Sequence, residues 1–316
     1  MIRWGINALN HGSSLAVFKD EQLIFNQTSH DDTFDSPIIR RALDVGSPDS
    51  IYWYERPWIK KARQLKAGQW QRALDLSVLP RSYLNKIRVH YAPVTYTPHH
   101  GSHAAAGYYT SPFNHCAVVV LDAIGEFECA TIWNCVHGKM KKVWSRSYPH
   151  SLGLFYSAFT DFLGMTPIRD EYLLQQMAIK GDPKRFRESV NLYFKKGVLN
   201  LDYNFHKGIH DWTCETWSEQ EKFNLAAAVQ EQFEIQVGSI MLTAKQLTGA
   251  DCLVYMGGCA MNSAANKNEV EPRFKYRWSL PNPGDPSSSI GAVLYHTQHR
   301  ISANDLGVVK HMAINV

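Results

Sequence analysis

Apolar and polar residues alternate in short runs at the start of the chain and predict three strands, over residues 3–8, 14–18 and 23–27. Polar turns at residues 11–13 and 19–21 separate them, as in an antiparallel meander. A similar pattern returns over residues 116–122, 127–135 and 139–145, where a continuous apolar strand ends in Asp122. The repetition predicts a duplicated lobe.

Helical patterns surround these meanders. Residues 55–90 and 152–163 have helical spacing, and a long helix is predicted from residue 219 to residue 248. Ser218 and Glu221 form a capping box at its start, and Gly249 ends it. Apolar positions recur along this helix at helical spacing, so we expect them in the core.

The C-terminal part adds a buried strand over residues 253–256, a glycine turn with another helix, and a last helix over residues 288–298. Meander, helix, meander and helices form an α/β arrangement of two similar lobes with a cleft between them. We place the lobes at residues 1–112, with a basic helical insert over about residues 55–90, and at residues 113–316.

Composition limits the class of protein. A chain of 316 residues with 45% hydrophobic residues can bury a large core. No run of eighteen apolar residues occurs, which argues against a membrane partner and against a secretory signal. The six cysteines show no paired metal-ligand spacing, and several lie in apolar runs. We expect buried free thiols and a reducing, cytoplasmic location.

Charge is unevenly distributed along a chain of net charge +4. Between Glu55 and His90, nine Lys or Arg residues stand against two acids, with Trp58 and Trp70 among them. Such a segment can contact a phosphate backbone and stack on bases, and a solvated helical face is an equally good explanation. The candidate nucleic-acid contacts are Lys60, Lys61, Arg63, Lys66, Trp70 and Arg72.

Two histidines one helical turn apart carry the strongest chemical signal. His99 and His103 lie at positions i and i+4, after Pro98 at the expected first helical position, so both imidazoles point to one side. They form half of a metal site, unless they merely begin a surface helix. Asp122, at a strand end, borders the expected cleft, whereas Asp285 taken alone is better explained as a helix cap.

Together these segments resemble the N-terminal domain of the O-carbamoyltransferases, the family of nodulation-factor and tobramycin carbamoyltransferases. The matching segments follow the family's order over nearly the whole chain. They are residues 5–7 and 11–16, 99–105, 121–122 with 125–126, 148–157, 257–262, and 284–285 with 290–292. The resemblance implies an actin/sugar-kinase-like fold, with a duplicated mixed β-sheet and a central cleft.

The resemblance also implies functional roles. His99, His103, Asp122 and Asp285 match the ligands of a divalent metal that is iron-like in the family, which favours Fe(II) and leaves Mn(II), Zn(II) and Mg(II) open. His11 matches a loop histidine near the reacting group and would take the acceptor's proton, with turn capping as its alternative role. The implied nucleotide or donor contacts are Gly125, Gly257, Gly258 and Asn262.

The sequence departs from the family in ways that affect the donor. Leu173 stands where the family has a lysine, and we expect no second domain that forms carbamoyl-adenylate. The donor would then be carbamoyl phosphate used directly, an adenylate made from ATP or another adenine nucleotide in the same cleft, or an intermediate supplied by a separate partner protein.

Several functions remain open for the acceptor. We favour the hydroxyl of 5-hydroxymethylcytosine in DNA, flipped into the cleft, because of the basic segment. A small-molecule hydroxyl on a sugar or an antibiotic is the alternative. Two further functions stay open: a non-catalytic nucleic-acid-binding relative, and a tRNA threonylcarbamoyl transferase-like enzyme. The sequence leaves the oligomeric state open between a monomer and a homodimer.

Overall fold

The computed structural model describes residues 1–210, 212 and 216–301. Its first sheet has the strand order β3-β2-β1-β4-β5. The meander strands β1, β2 and β3 pair antiparallel, and β4 and β5 extend the sheet parallel to β1. These strands are β1 (Ile2–Asn10), β2 (Gly12–Lys19), β3 (Gln22–Ser29), β4 (Ser50–Trp53) and β5 (Val94–Tyr96).

The second sheet repeats this plan with the order β10-β9-β6-β7-β8. Its meander is β6 (His115–Gly125), β7 (Glu128–Val136) and β8 (Lys139–Ser147), and β9 (Cys252–Met256) and β10 (Tyr276–Trp278) run parallel to β6. The duplicated mixed sheet predicted from the sequence is thus confirmed. The expected lobe boundary at residue 112 falls in the loop before β6, and the residue bounds of the two lobes stay a prediction.

The described residues contain eleven α-helices. They are α1 (Ser36–Val45), α2 (Pro57–Lys66), α3 (Trp70–Leu74), α4 (Pro80–Lys86), α5 (His99–Thr110), α6 (Leu152–Phe162), α7 (Glu171–Ile179), α8 (Arg187–Asn191), α9 (Glu219–Thr248), α10 (Ser263–Ala265) and α11 (Ser288–Thr297). The Ser218–Glu221 capping box and the left-handed Gly249 of α9 are both present. No helix in the described ranges has the length and apolar content needed to cross a bilayer.

Helix α5 lies in the interior, and every one of its residues is buried. Its alanines share a core cluster with Val118 and Val120 of β6 and with Ile290 and Val293 of α11. Because α5 packs on both β6 and α11, its first turn is fixed relative to both. The alternative that the histidines begin a surface helix is therefore wrong.

Some local predictions need correction. Pro98 precedes α5 as its N-cap residue and is not the first helical residue. The single helix expected after β9 is a 3-10 turn, the short α10 and a π-helical turn. Four of the five described cysteines are buried, Cys252 is partly exposed, and all five are free thiols. Cys214 lies outside the described residues.

Candidate metal centre and cleft

Four side chains from distant parts of the sequence meet at one point. They are His99 and His103 from α5, Asp122 from β6, and Asp285 from the turn before α11, with one ligand atom of each within 4.8 Å of the others. The two imidazole Nε2 atoms are 3.1 Å apart. All four residues were predicted as metal ligands, and the fold brings all four together.

The Asp122 carboxylate is oriented by backbone groups. Its Oδ1 accepts hydrogen bonds from the backbone N–H of Ala123 at 2.8 Å and of Gly258 at 3.3 Å. Its Oδ2 is therefore left to face the histidines, 3.5 Å from His99 Nε2 and 3.3 Å from His103 Nε2. The glycine turn after β9 thus helps to orient Asp122, because the Gly258 N–H donates to its carboxylate.

Asp285 is oriented by the first meander. Asn10 Nδ2 donates to Asp285 Oδ2 at 3.1 Å, and Asn7 Nδ2 donates to the Asp285 backbone carbonyl at 3.0 Å. The other oxygen, Oδ1, lies 3.4 Å from His99 Nε2 and 3.2 Å from His103 Nε2. Each carboxylate therefore has one oxygen held by N–H donors and one directed at the imidazoles.

This arrangement fits a divalent metal ion. Ligand atoms about 2.1 Å from one ion lie about 3.0–3.4 Å apart at octahedral or tetrahedral angles, which matches the separations between the imidazoles and the carboxylates. Two nitrogen and two oxygen donors suit Fe(II), Mn(II) or Zn(II). The carboxylate contacts that fix Asp122 and Asp285 are the outer hydrogen bonds that such ligands usually have.

Charge in the centre is strongly coupled. Burial lowers the pKa of His99, but the carboxylates of Asp285 and Asp122 outweigh it and hold this pKa well above its usual range. Burial raises the pKa of Asp122, but both imidazoles outweigh it and hold this pKa well below its usual range. The carboxylates are therefore ionised, and their negative charge stabilises a cation where the four side chains meet.

Two neighbours of His99 were not predicted. Glu55 is buried and its Oε2 lies 3.9 Å from His99 Nδ1, while its Oε1 binds Lys60 Nζ at 2.7 Å. The Tyr54 ring packs against the His99 ring with centroids 5.3 Å apart. Both residues follow β4, a parallel strand, and strand ends commonly border ligand sites, which is the sequence signal that could have identified them.

The centre opens into a cleft of about 760 Å³ between the two sheets. Its walls come from the first meander, from the basic insert, from β6 and α6, from α7, and from the turns at 258–262 and 282–286. The polar lining includes His11, Lys60, Arg63, Arg72, Glu171, His206 and Asn282. A small ligand in this cleft can therefore contact Asp122 and Asp285, which line it.

Residues 51–294 match the family model described as the carbamoyltransferase N-terminus. The chain belongs to this family. An uncharacterized protein of Synechocystis sp., sll1178, is 27% identical over 343 residues, which cover 92% of this chain and 56% of that protein. Nodulation protein NolNO of Sinorhizobium fredii is 24% identical over 251 residues, which cover 74% of this chain and 35% of that protein. The carbamoyltransferase-family chain thus spans between about a third and somewhat more than half of these curated relatives.

Among solved structures, the activator of 2-hydroxyisocaproyl-CoA dehydratase from Clostridium difficile, with bound ADPNP, matches this carbamoyltransferase-family chain with a TM-score of 0.52. The match covers 100% of this chain and 99% of the activator at 11% sequence identity. At this identity the likeness concerns the fold alone. With the strand orders above, it confirms the two-lobed actin/sugar-kinase-like α/β fold predicted from the sequence.

The predicted catalytic residue of this carbamoyltransferase-family chain, His11, occupies the turn between β1 and β2. It is exposed and lines the cleft, one residue after Asn10, which holds Asp285. The turn is thereby tied to the candidate metal centre, and His11 lies where a ligand in the cleft can contact it.

The predicted nucleotide contacts of the carbamoyltransferase-family chain have structural partners here. Gly125 packs against the His99 and His100 rings, and Gly257 donates its N–H to the Pro283 carbonyl at 2.8 Å. Asn262 exchanges two hydrogen bonds of 3.0 Å with Gln230 and caps α10. Gly258 and Asn262 line the cleft, but the Asn262 amide and the Gly258 N–H are already bonded within the protein.

The six basic-segment residues divide into two groups. Lys66, Trp70 and Arg72 are exposed, and Lys60 is half-buried beside Glu55. Lys61 is buried, and its Nζ donates to the carbonyls of Arg72 and Asp75, both at 2.6 Å. Arg63 is buried in the cleft wall. For Lys61 the structure therefore gives a role inside the insert and not at a nucleic-acid surface.

Proposed function

We propose that this chain transfers a carbamoyl group from carbamoyl phosphate to a hydroxyl group, in the cleft that contains the four metal-binding side chains. The observation that carries the proposal is the cluster of two imidazoles and two carboxylates at metal-ligand spacing, which borders a cleft beside His11 in a chain of the carbamoyltransferase family. Two buried imidazoles and two half-buried carboxylates meet at the wall of this cleft. A binding function is what their chemistry supports.

In this mechanism the acceptor oxygen forms a bond to the carbamoyl carbon, and the bond from that carbon to the phosphate oxygen breaks. The acceptor's proton goes to His11, and phosphate leaves. His99, His103, Asp122 and Asp285 would hold a divalent ion, which when bound supplies Lewis acidity to a carbonyl or phosphoryl oxygen. Asn10 and the backbone N–H groups of Ala123 and Gly258 keep the two carboxylates oriented.

An adenine nucleotide enters a second version of the donor step, in which carbamoyl-adenylate forms before transfer. The solved activator with bound ADPNP has the same fold, which supports a nucleotide in this cleft. A separate protein that supplies the adenylate is the third version. Omitting ATP distinguishes the first two versions. Direct transfer from carbamoyl phosphate proceeds without ATP, whereas transfer through carbamoyl-adenylate stops.

For the acceptor we propose the hydroxymethyl group of 5-hydroxymethylcytosine in DNA. Trp58 and Trp70 are each 62% exposed, and Lys66 and Arg72 lie on the same insert, which also lines the cleft. Exposed indoles and cations next to a cleft suit a single strand or a flipped nucleotide. A small-molecule hydroxyl is the alternative acceptor, because the cleft volume of about 760 Å³ also suits a sugar-sized ligand.

The decisive experiment is mass spectrometry of hydroxymethylcytosine-containing DNA after incubation with the protein, carbamoyl phosphate, ATP and Fe(II), each omitted in turn. A gain of one carbamoyl group per modified base, lost in His103→Ala and kept in His115→Ala, supports the proposal. His115 is an exposed histidine on the same β6 strand as Asp122 and therefore a matched control. If DNA stays unmodified while a hydroxylated sugar gains the group, the small-molecule acceptor is correct.

A non-catalytic nucleic-acid-binding relative is distinguished by the same samples. That function predicts salt-dependent DNA binding that His103→Ala leaves unchanged, with no carbamoylated product from any acceptor. Lys66→Gln and Trp70→Ala would each weaken binding if the insert contacts DNA. Unchanged binding in both variants would remove the support for a DNA acceptor.

A further inference from the structure

Arg63 is a buried cation in the wall of the cleft. Its side chain is 6% exposed, and it lines the cleft from α2. Its Nε donates to the Glu126 backbone carbonyl and its NH1 to Gln69 Oε1, both at 3.2 Å. Both acceptors are neutral, so these bonds fix the guanidinium without balancing its charge.

The neighbouring carboxylates are already paired with other cations. The Glu126 carboxylate accepts from Arg56 N at 2.7 Å and from Arg56 Nε at 3.0 Å, and Glu55 pairs with Lys60. Within residues 1–210, 212 and 216–301, no carboxylate lies within ion-pair distance of Arg63. Burial lowers the pKa of Arg63, and Glu55 offsets this only in part. Burying an unpaired charge destabilises the fold unless a ligand of opposite charge binds to it.

Other groups beside Arg63 add donors and no negative charge. Gln69 Nε2 lies 3.2 Å from His206 Nε2, which links the insert to the second half of the chain. Burial, followed by the charges of Arg63 and Arg72, lowers the pKa of His206, so this imidazole is neutral. Arg72 lines the same cleft, is exposed, and has no ion pair among the described residues. The wall therefore presents two unbalanced guanidinium groups to the cleft.

We propose that Arg63 and Arg72 bind a phosphate group of a ligand in the cleft. Guanidinium groups bind phosphate oxygens through paired N–H donors, and two of them suit an anion with more than one charged oxygen. This site lies on the basic insert, apart from the four metal-binding residues. The phosphate belongs either to the donor or to a nucleic-acid acceptor. The proposal adds a phosphate-binding site to the proposed function, and this site can bind phosphate whether or not the chain transfers a carbamoyl group.

The test measures binding by the full chain after removal of metal with a chelator, so that phosphate held by an ion does not contribute. The probes are inorganic phosphate, by calorimetry, and a short single-stranded DNA, by fluorescence anisotropy. We expect Arg72→Gln and Arg63→Lys each to weaken at least one probe about tenfold, since each removes a charge-assisted bidentate contact. Arg81→Gln is the matched control, an exposed arginine of the same insert outside the cleft lining.

The pattern of loss identifies the source of the phosphate. Weakening of inorganic phosphate and DNA together supports a site that a donor phosphate can fill, and weakening of DNA alone supports an acceptor phosphate. Arg72→Gln keeps the proposal falsifiable if Arg63→Lys fails to fold, because Arg72 is exposed. Binding of both probes that Arg72→Gln leaves unchanged overturns the proposal, as does the lack of binding by the unmodified chain. Phosphate binding and carbamoyl transfer are measured separately, so the two proposals can fail independently. A chain that binds phosphate but transfers no carbamoyl group contradicts only the proposed function, and a chain that transfers the group but binds no phosphate contradicts only this proposal.

Discussion

Asn10 and Asp285 lie 275 residues apart in sequence and are joined by a hydrogen bond of 3.1 Å from Asn10 Nδ2 to Asp285 Oδ2. This bond ties the first meander to the turn that begins α11. It also determines which oxygen of Asp285 faces His99 and His103. The orientation of one candidate ligand is therefore fixed by a residue that is not itself a candidate ligand.

Asn10→Ala should weaken metal binding about tenfold or more, because the Asp285 carboxylate loses the donor that orients it. Titration calorimetry with Mn(II) measures the change. Asn85→Ala, the same substitution on an exposed position of α4, is the control and should bind as the unmodified chain does. Equal affinities in the two variants would show that Asn10 has no orienting role.

Metal should stabilise the fold, because the four ligands meet only in the folded chain. At a free metal concentration one hundred times the dissociation constant, we expect about 2.7 kcal/mol of added stability. Thermal unfolding with and without a chelator measures it. His103→Ala should abolish the metal-dependent rise in melting temperature, and His115→Ala should keep it. A rise that persists in His103→Ala would place the ion elsewhere.

Gly125→Ala should damage the centre by steric overlap. A Cβ on Gly125 would overlap the His99 imidazole and press on His100. We expect a loss of about 1–3 kcal/mol in unfolding free energy together with weaker metal binding. Gly107→Ala is the control on α5, because its Cβ would overlap Val254 in the core. It should lose stability in denaturant unfolding but keep its metal affinity.

Glu126→Gln should loosen the basic insert. The Glu126 carboxylate holds the backbone N–H and the guanidinium of Arg56, and it is 4% exposed. We expect a loss of about 2 kcal/mol in unfolding free energy, since the amide leaves some of these donors without an acceptor. Glu128→Gln, which breaks the more exposed pair with Lys142, should cost about 1 kcal/mol or less. Urea unfolding measures both losses. Similar losses of unfolding free energy in the two variants would contradict a special role for Glu126 in stabilising the insert.

Strand and helix positions were largely predictable because they depend on local patterns. The strands of both meanders and the bounds of α9 follow from apolar periodicity and from capping residues that act within a few positions. The strands β4, β5 and β10 were not predicted. They are three or four residues long and acquire their structure from pairing with β1, β4 and β9.

The sequence by itself determined the residue types of the centre. The spacing of His99 and His103 places both imidazoles on one helix face, and the family resemblance adds Asp122 and Asp285. It could not assign Asn10, Glu55 or Tyr54 to the site. Their proximity to the ligands arises only when β1 and β4 pair within the first sheet and α5 packs against the second.

The tertiary structure alone decided how the polar groups are used. The sequence treats Lys61, Arg63 and Lys66 as equivalent cations, but the fold buries the first two and exposes the third. It likewise directs the Asn262 amide to Gln230. Burial and hydrogen-bond partners depend on contacts between residues far apart in the chain, and local sequence patterns do not encode those contacts.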